Sequence, residues 1–357
     1  MALAYYISSH GYGHLVRSCA IIRELPPEIP LIIKTAGPRK VIDAELKGRQ
    51  YELIAERFDC GAIQPDSFAV DALATLQTYQ RIADENGQRL EAEVNFLKQR
   101  DVRAVACDIP PFACRAAHAA GVPSIAMTNF TWYEIYRPLV RQHPRYQPLL
   151  DAIRGDYALA TKALVYPPHL PIDVFPNAVE APMVARKGED RSAAIKRALN
   201  IPEGHLLYML YLGDMGLAGT EWRALETFER ASFLTLNPLS VKLRNVYALR
   251  NEDWWHPDLT ASCAAVIGKP GYGLVGECMA NSTPLVYTER PEFVEYFALH
   301  DALQQWGGGI FVPLDKFRSL QLQPFLEQAQ VLHVEPLYAI NGAEFCAREI
   351  AMIGGWV

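Results

Sequence analysis

A glycine-punctuated stretch, GKPGYGLVGE at residues 268–277, decides the fold. It follows a strand-like apolar run and opens a helix-like run at Leu274. A second loop of this kind, HGYGH at residues 10–14, lies between an apolar run at 2–8 and a helical pattern. Open α/β sheets bind ligands at the carboxyl ends of their strands, where such loops lie. The two loops therefore predict an α/β protein with two Rossmann-like domains, whose parallel sheets face each other across a cleft.

Strand-like and helix-like runs alternate through the rest of the 357 residues, a length that suits two domains. Residues 166–187 carry five prolines and no helical period, which predicts an extended linker. The expected organisation is a first domain at 1–165, the linker at 166–187 and a second domain at 188–335. A final helix within 336–357 is expected to return to the first domain. The helical pattern at 70–97 is long, and Gly87 marks a point where it could break.

Composition excludes some function classes. The net charge is −6, and no large basic field is present to hold nucleic acid. The seven cysteines form no CxxC pair and favour buried, reduced thiols. Neither a signal-peptide pattern nor an apolar run of transmembrane length is found, so we expect a cytoplasmic protein. The oligomeric state is not indicated.

The second loop has the chemistry of a phosphate site. Backbone N–H groups at a helix N-terminus attract anions, and Gly271, Gly273 and Gly276 leave room for a ligand to approach them. The carboxylate of Glu277 could accept hydrogen bonds from two vicinal ribose hydroxyls. Alternatively, the glycines only turn a tight corner and Glu277 only favours the helix dipole.

The stretch VIGKPGYGLVGECMANSTPLVY at 266–287 resembles the donor-binding segment of GT-B glycosyltransferases. These include the N-acetylglucosaminyltransferase of peptidoglycan synthesis and the plant UDP-glycosyltransferases. It is closer still to the glycosyltransferase-like N-terminal half of plant L-arabinokinases. The resemblance implies a nucleotide-sugar donor, UDP-linked, that serves as co-substrate without a further cofactor. It also implies that the first domain faces the acceptor and the second binds the donor.

Donor contacts are implied by the same resemblance. Residues 250–254 would border the base, and residues 213–216 would approach the phosphates, although a carboxylate at Asp214 departs from the pattern. One of Glu289, Glu292 and Glu295 would bind sugar hydroxyls. The donor-binding candidates are Gly213, Arg250, Asn251, Lys269, Gly271, Tyr272, Gly273, Leu274, Glu277 and Glu292.

Glycosyl transfer with inversion needs a base to take the proton of the attacking hydroxyl, and histidine suits this task. HGYGH supplies two histidines, and the resemblance selects His14. Asp108 follows an apolar run and matches the aspartate of the plant UDP-glycosyltransferase dyad, which would orient the imidazole. Alternatively, His14 is a structural loop histidine and Asp108, which precedes two prolines, only caps a helix.

The acceptor side is less defined. The resemblance extends to residues 61–64, 66–71 and 128–132, and it places an acceptor pocket in the first domain. The candidates there are His10, Gly11, Gly13, Asn129 and Trp132. Aromatic rings stack on sugars and flat aglycones, but Trp132 could equally belong to the core. A short basic run at 137–145 could touch an anionic acceptor or a lipid surface, or could be a solvated helix face.

The preferred function is an inverting, metal-independent glycosyltransferase, since neither a DxD motif nor a histidine cluster suggests a metal site. Two alternatives stay open, a catalytically idle module that binds nucleotide sugars and a nucleotide-sugar epimerase of the same fold. A nicotinamide-dependent oxidoreductase is disfavoured because the first loop lacks the GxGxxG pattern.

Overall fold

The computed structural model describes residues 1–64, 70–212, 220–250 and 253–357. The chain divides into two compact units. Unit 1 contains the described residues up to Val184 together with Tyr338–Val357, and unit 2 contains Ala185–Leu337. Each unit is built on one parallel sheet, as the alternating pattern predicts.

The sheet of unit 1 has seven parallel strands in the order β3-β2-β1-β4-β5-β6-β7. Its central strands are continuous apolar runs because helices cover a parallel sheet on both faces. The strands are β1 (Ala2–Ile7), β2 (Leu31–Lys34), β3 (Glu52–Ile54), β4 (Val102–Asp108), β5 (Ser124–Thr128), β6 (Lys162–Val165) and β7 (Ala178–Glu180).

The described part of unit 1 contains seven α-helices, among them the last helix of the chain. They are α1 (Tyr12–Glu24), α2 (Arg39–Glu45), α3 (Ala72–Gln99), α4 (Pro111–Ala120), α5 (Trp132–Gln142), α6 (Gln147–Ala158) and the final helix, which packs on α1 and spans Gly342–Ile353. Helix α3 runs without interruption through Gly87, so the possible break there is not observed.

The proline-rich segment at 166–187 differs from the extended linker that its composition predicts. Strand β7 lies within it and pairs in parallel with β6, so that Val165 stands opposite Glu180. All three residues of β7 are exposed. Prolines can flank an edge strand because one of its sides needs no hydrogen-bond donors, and this allows the segment to extend the sheet.

The sheet of unit 2 has six parallel strands in the order β10-β9-β8-β11-β12-β13. In chain order the elements are α7 (Ser192–Leu199), β8 (Leu206–Tyr211), β9 (Ala231–Thr235), β10 (Val246–Ala248), α8 (His256–Ala261), β11 (Ala265–Gly268), α9 (Tyr272–Ala280), β12 (Leu285–Tyr287), α10 (Val294–Trp306), β13 (Gly309–Phe311), α11 (Leu314–Arg318) and α12 (Gln323–Gln330); the final helix of the chain is thus α13. Residues Trp222–Thr227 form a short 3₁₀ helix.

Two chain-wide expectations can be compared with the structure. Six of the seven cysteines are buried, Cys60 is half-buried, and all seven are free thiols. Across the described residues, no helix is both long enough and apolar enough to cross a membrane.

Candidate active site

His14 and Asp108 come together at the carboxyl edge of the unit 1 sheet. Strands β1 and β4 are neighbours with Ile7 opposite Asp108, so the residue that ends β4 lies beside the loop that follows β1. His14 stands in the first turn of α1, and its Nδ1 lies 3.0 Å from Asp108 Oδ1. Both side chains are buried. The two residues that the sequence singles out for catalysis are therefore in hydrogen-bond contact.

Arg17, which the sequence motifs do not single out, also binds Asp108. Its Nε donates to Asp108 Oδ2 at 2.8 Å and its Nη2 donates to Asp108 Oδ1 at 2.6 Å, a bidentate pair. Ser18 Oγ adds a hydrogen bond of 2.9 Å to Oδ2. Burial by itself would raise the pKa of Asp108, but the Arg17 charge, with the contact to His14, lowers it to about 2. Asp108 is therefore a carboxylate at neutral pH.

Two geometric features constrain the HGYGH loop, one at Gly11 and one at His10. Gly11 precedes α1 with φ of 72°, a conformation that favours glycine. The imidazole of His10 packs directly over the backbone of Gly61, where an added Cβ would lie 1.8 Å from His10 Nδ1. Gly13 has neither constraint. These contacts fix His10 against the segment at 61–64 that the resemblance singled out.

Asn129 and Trp132, predicted to line an acceptor pocket, are fully buried in the structure. Asn129 Oδ1 accepts a 2.6 Å hydrogen bond from Arg17 Nη1. Trp132 packs its ring on Tyr136 and donates from Nε1 to Asp59 Oδ2 at 2.7 Å. Asn129 Oδ1 and Trp132 Nε1 are thus engaged within unit 1, and both side chains are buried, so they support the His14 cluster and do not form an open surface.

Asp59 is a second buried carboxyl group near His14. Ser8 Oγ donates to its Oδ1 at 3.0 Å, and Trp132 holds its other oxygen. Burial raises the pKa of Asp59 to about 6, because these hydrogen bonds and the nearby His14 offset only part of the cost of burying its charge. Asp59 and Asp108 are both buried, yet their pKa values shift in opposite directions.

The glycine-rich loop of unit 2 opens α9 at Tyr272. Gly271 has extended backbone angles, and an added Cβ at Gly271 or Gly273 would meet no atom of the described residues within 4 Å. Contacts among the described residues therefore do not require glycine at these two positions. The described residues leave space beside the first N–H groups of α9, as close approach of a phosphate requires.

Glu277 lies in α9 inside a cluster of charged groups. Arg186 donates to its Oε1 from Nε at 2.8 Å and also from Nη2. His256, the first residue of α8, places Nδ1 2.5 Å from Oε2. Burial alone would raise the pKa of Glu277, but the Arg186 charge and His256 lower it to about 2. Neither Arg186 nor His256 belongs to a motif that the sequence singles out.

This cluster changes the expected ribose contact. A carboxylate has about four acceptor positions, two on each oxygen. The contacts of the described residues use both positions on Oε1 and one on Oε2, which leaves one on Oε2. Among the described contacts, room therefore remains for one further hydrogen bond to Glu277, whereas the sequence predicts two from ribose hydroxyls. Nε2 of His256 is buried and makes no hydrogen bond to a described residue.

The other donor-binding candidates differ in their surroundings. Tyr272 and Leu274 are buried in α9, and Lys269 is half-buried. Arg250 is exposed and pairs with Asp253 at 2.8 and 2.9 Å. Three glutamates follow β12: Glu289 accepts from Thr288 Oγ1 at 2.9 Å, Glu292 is exposed and Glu295 lies in the first turn of α10. Gly213, Asp214 and Asn251 lie outside the described residues.

Arg290 follows β12 and is not among the donor-binding candidates that the sequence predicts. Its guanidinium lies over the Phe293 ring at 3.7 Å. Burial lowers the pKa of Arg290 to about 10.

Among the residues that the structure describes, no group of three or more His, Cys, Asp or Glu is arranged to hold a metal ion.

Comparison with known proteins gives one curated relative. No family model matches the chain. The L-arabinokinase of Arabidopsis thaliana is 28% identical over 355 residues. That alignment covers 97% of this chain and 34% of the arabinokinase, so the chain spans about a third of its relative.

Solved structures of similar fold are glycosyltransferases of the GT-B type. The UGT2 of Phytolacca americana, solved with UDP-2fluoro-glucose and pterostilbene, matches with a TM-score of 0.63 at 13% identity, over 99% of this chain and 94% of that one. MurG of Acinetobacter baumannii matches with a TM-score of 0.56 at 12% identity, over 98% and 99% of the two chains. The chain therefore has the GT-B fold with two Rossmann-like units, as the resemblance implied.

Proposed function

We propose that this protein is an inverting, metal-independent glycosyltransferase that moves a sugar from a nucleoside-diphosphate sugar, UDP-linked, to a hydroxyl acceptor. One observation carries the proposal: within the GT-B fold, His14 Nδ1 lies 3.0 Å from a buried, ionised Asp108. A histidine held on a carboxylate through one ring nitrogen can offer the other nitrogen to a reacting proton.

The reaction assigns roles to named groups. His14, with its proton on Nδ1 and Asp108 as acceptor, takes the acceptor's hydroxyl proton at Nε2. The hydroxyl oxygen attacks the anomeric carbon, and the bond from that carbon to the diphosphate breaks. The electron pair of this bond leaves with the diphosphate. Asp108 stabilises the imidazolium that forms.

Unit 2 is assigned the donor. The open space at Gly271 and Gly273 would receive the diphosphate against the N-terminus of α9. Glu277 would accept one ribose hydroxyl at the remaining position on Oε2. The space that the described residues leave at the N-terminus of α9, a helix of nine residues, supports the phosphate assignment. The UDP-sugar bound by the Phytolacca americana protein supports the choice of nucleotide.

The test uses water as the acceptor, because the proposed base can take a proton from water as it would from an acceptor hydroxyl. UDP-glucose, UDP-galactose and UDP-N-acetylglucosamine are each incubated with the protein, and UDP release is measured. An inverting enzyme releases the β-anomer first, which proton NMR detects. His14→Ala should keep UDP binding and lose turnover, while His118→Ala, an exposed histidine of α4, is the matched control. Binding without turnover by the unaltered protein would contradict the transferase proposal.

A catalytically idle nucleotide-sugar-binding module is the second candidate. It is favoured by Arg17, which lies 2.8 Å from the same Nδ1 that the base mechanism needs for Asp108. A protein of this kind would bind UDP-sugars and release no UDP. The hydrolysis assay therefore separates the two candidates.

A further inference from the structure

Arg17 occupies the centre of the unit 1 cluster. It lies in α1 one turn after His14, which puts the two side chains on one face of the helix. Its guanidinium pairs with both oxygens of Asp108 and with Asn129 Oδ1. The side chain is 5% exposed, so these hydrogen bonds are shielded from water.

The same guanidinium reaches the ring that the proposed mechanism uses. Arg17 Nη2 lies 2.8 Å from His14 Nδ1, and Asp108 Oδ1 lies 3.0 Å from that nitrogen. A guanidinium can only donate hydrogen bonds, and a carboxylate can only accept them. Nδ1 of a neutral imidazole therefore cannot satisfy both neighbours.

Two tautomers of His14 follow. With the proton on Nδ1, the ring donates to Asp108 and leaves a lone pair on Nε2. With the proton on Nε2, the ring accepts from Arg17 at Nδ1 and cannot act as a base at Nε2. The first form brings two N–H groups together at Nη2 and Nδ1, and the second brings two lone pairs together at Nδ1 and Oδ1.

The chemistry of the neighbours favours the second form. Arg17 stays protonated at all accessible pH values and cannot withdraw its donor. Asp108 already accepts two hydrogen bonds from Arg17 and one from Ser18, so its charge is satisfied without His14. The shorter of the two contacts to Nδ1 is also the one from Arg17.

We propose that Arg17 is a positioning residue that sets the tautomer of His14: it donates to Nδ1 and places the single ring proton on Nε2 in the unliganded protein. The base form, with its proton on Nδ1, is then a minor population. Arg17 thereby limits donor hydrolysis until the Nη2 contact is released. This consequence rests on the proposed function, whereas the tautomer itself does not.

The tautomer is measured directly by NMR on protein labelled with ¹⁵N-histidine. Two-bond ¹H–¹⁵N correlations distinguish the two neutral forms, and the spectrum of His14→Gln identifies the His14 signals by their loss. We expect the Nε2–H pattern in the unaltered protein, recorded at a pH where the ring is neutral. An Nδ1–H pattern would overturn the proposal.

Arg17→Lys is the variant that tests the cause. A lysine keeps the positive charge beside Asp108 but has one nitrogen, so it cannot pair with both carboxylate oxygens and still reach Nδ1. We expect His14 to change to the Nδ1–H pattern, and an unchanged tautomer would overturn the role of Arg17. If Arg17→Lys does not fold, the tautomer of the unaltered protein still decides the proposal.

The activity of the same variant separates this inference from the proposed function. If the base form is populated at about 10% in the unaltered protein, freeing it raises UDP-sugar hydrolysis about 10-fold, because the rate follows the competent fraction. KM should change little, since the described contacts of Arg17 lie within unit 1, whereas the donor is assigned to unit 2. An Nδ1–H tautomer together with normal turnover would leave the transferase standing and reject Arg17. An Nε2–H tautomer that converts in Arg17→Lys, without UDP binding in either protein, would support Arg17 and reject the transferase.

Discussion

Each unit holds a cluster of one histidine, one carboxylate and one arginine, but the two clusters connect these groups differently. In unit 2, Arg186 binds Oε1 of Glu277 while His256 binds Oε2. In unit 1, the arginine and the histidine meet at the same carboxylate oxygen, and the arginine also touches the histidine nitrogen. The histidine of unit 2 therefore has an unopposed acceptor, whereas His14 has two competing neighbours. The arginine's position, more than the set of residues, decides what the histidine can do.

The comparison predicts that the two histidines differ in chemical role, and the largest expected effect is on turnover. Removal of a general base costs about 10² to 10⁴ in rate. His14→Ala should lose UDP-sugar hydrolysis by that factor with unchanged UDP affinity. Asp108→Asn should lose somewhat less, because the imidazole remains. Turnover is measured as UDP release, and a His14→Ala variant within threefold of the unaltered protein would contradict the base role.

The two carboxylates should be equally important for stability. Removing either leaves a buried guanidinium without its partner, a change that costs about 3 to 5 kcal/mol in free energy of unfolding. We expect Asp108→Ala and Glu277→Ala to show losses of this size in chemical denaturation. Asp151→Ala and Glu229→Ala, exposed carboxylates of the two units, are the matched controls. If the free energy of unfolding falls by less than about 1 kcal/mol in only one of the two variants, the arginine of that cluster moves into contact with water once its carboxylate is removed.

Nucleotide affinity should respond to unit 2 only. Glu277→Gln should weaken UDP binding by about 1 to 3 kcal/mol through loss of a charge-assisted hydrogen bond. The same substitution should cost less for 2′-deoxy-UDP or 3′-deoxy-UDP, whichever lacks the contacted hydroxyl. Isothermal titration measures both, with Asp108→Asn as the control from the other cluster. Equal losses for UDP and both deoxy analogues would remove Glu277 from the ribose site.

The smallest expected effects concern pH. Asp108 and Glu277 have folded pKa values of about 2, below their ordinary 3.8 and 4.5. A lowered pKa gives stability that is present above the unfolded value and is lost as pH falls. These two groups should therefore destabilise the protein as pH falls from about 4.5 to 2. Urea denaturation across this range measures the loss of stability. Replacing one of the two carboxylates should remove the part of the loss that this group contributes.

Asp59 should act in the opposite sense. Its folded pKa of about 6 lies above the ordinary 3.8, so the stability that it contributes is present below about pH 4 and is lost as pH rises to 6. Asp59→Asn should flatten this part of the stability profile while keeping the side-chain shape. If the free energy of unfolding changes with pH equally in both proteins between pH 4 and 6, ionisation of the buried Asp59 costs no stability.

The sequence predicted much of this architecture. Apolar runs alternating with helical patterns indicated two parallel sheets, and the element order of both units follows from them. His14 and Asp108 could be paired because parallel strands end at one edge of a sheet and β1 and β4 are neighbours in the usual order of such folds. Arg17 could have been found as well, since it stands three residues after His14 on the same helix.

Other features depended on the tertiary structure. Arg186 and His256 meet Glu277 from 91 and 21 residues away, a distance in sequence over which periodicity predicts burial but not pairing. The burial of Asn129 and Trp132, the place of β7 in the sheet and the choice of carboxylate oxygen by each arginine are decided in the same way. Hydrogen-bond partners in a buried cluster are set by side-chain direction and by competition for a few acceptor positions. The sequence by itself determined which chemical groups stand at the edge of each sheet, and only the folded chain decided which of these groups are hydrogen-bonded to one another.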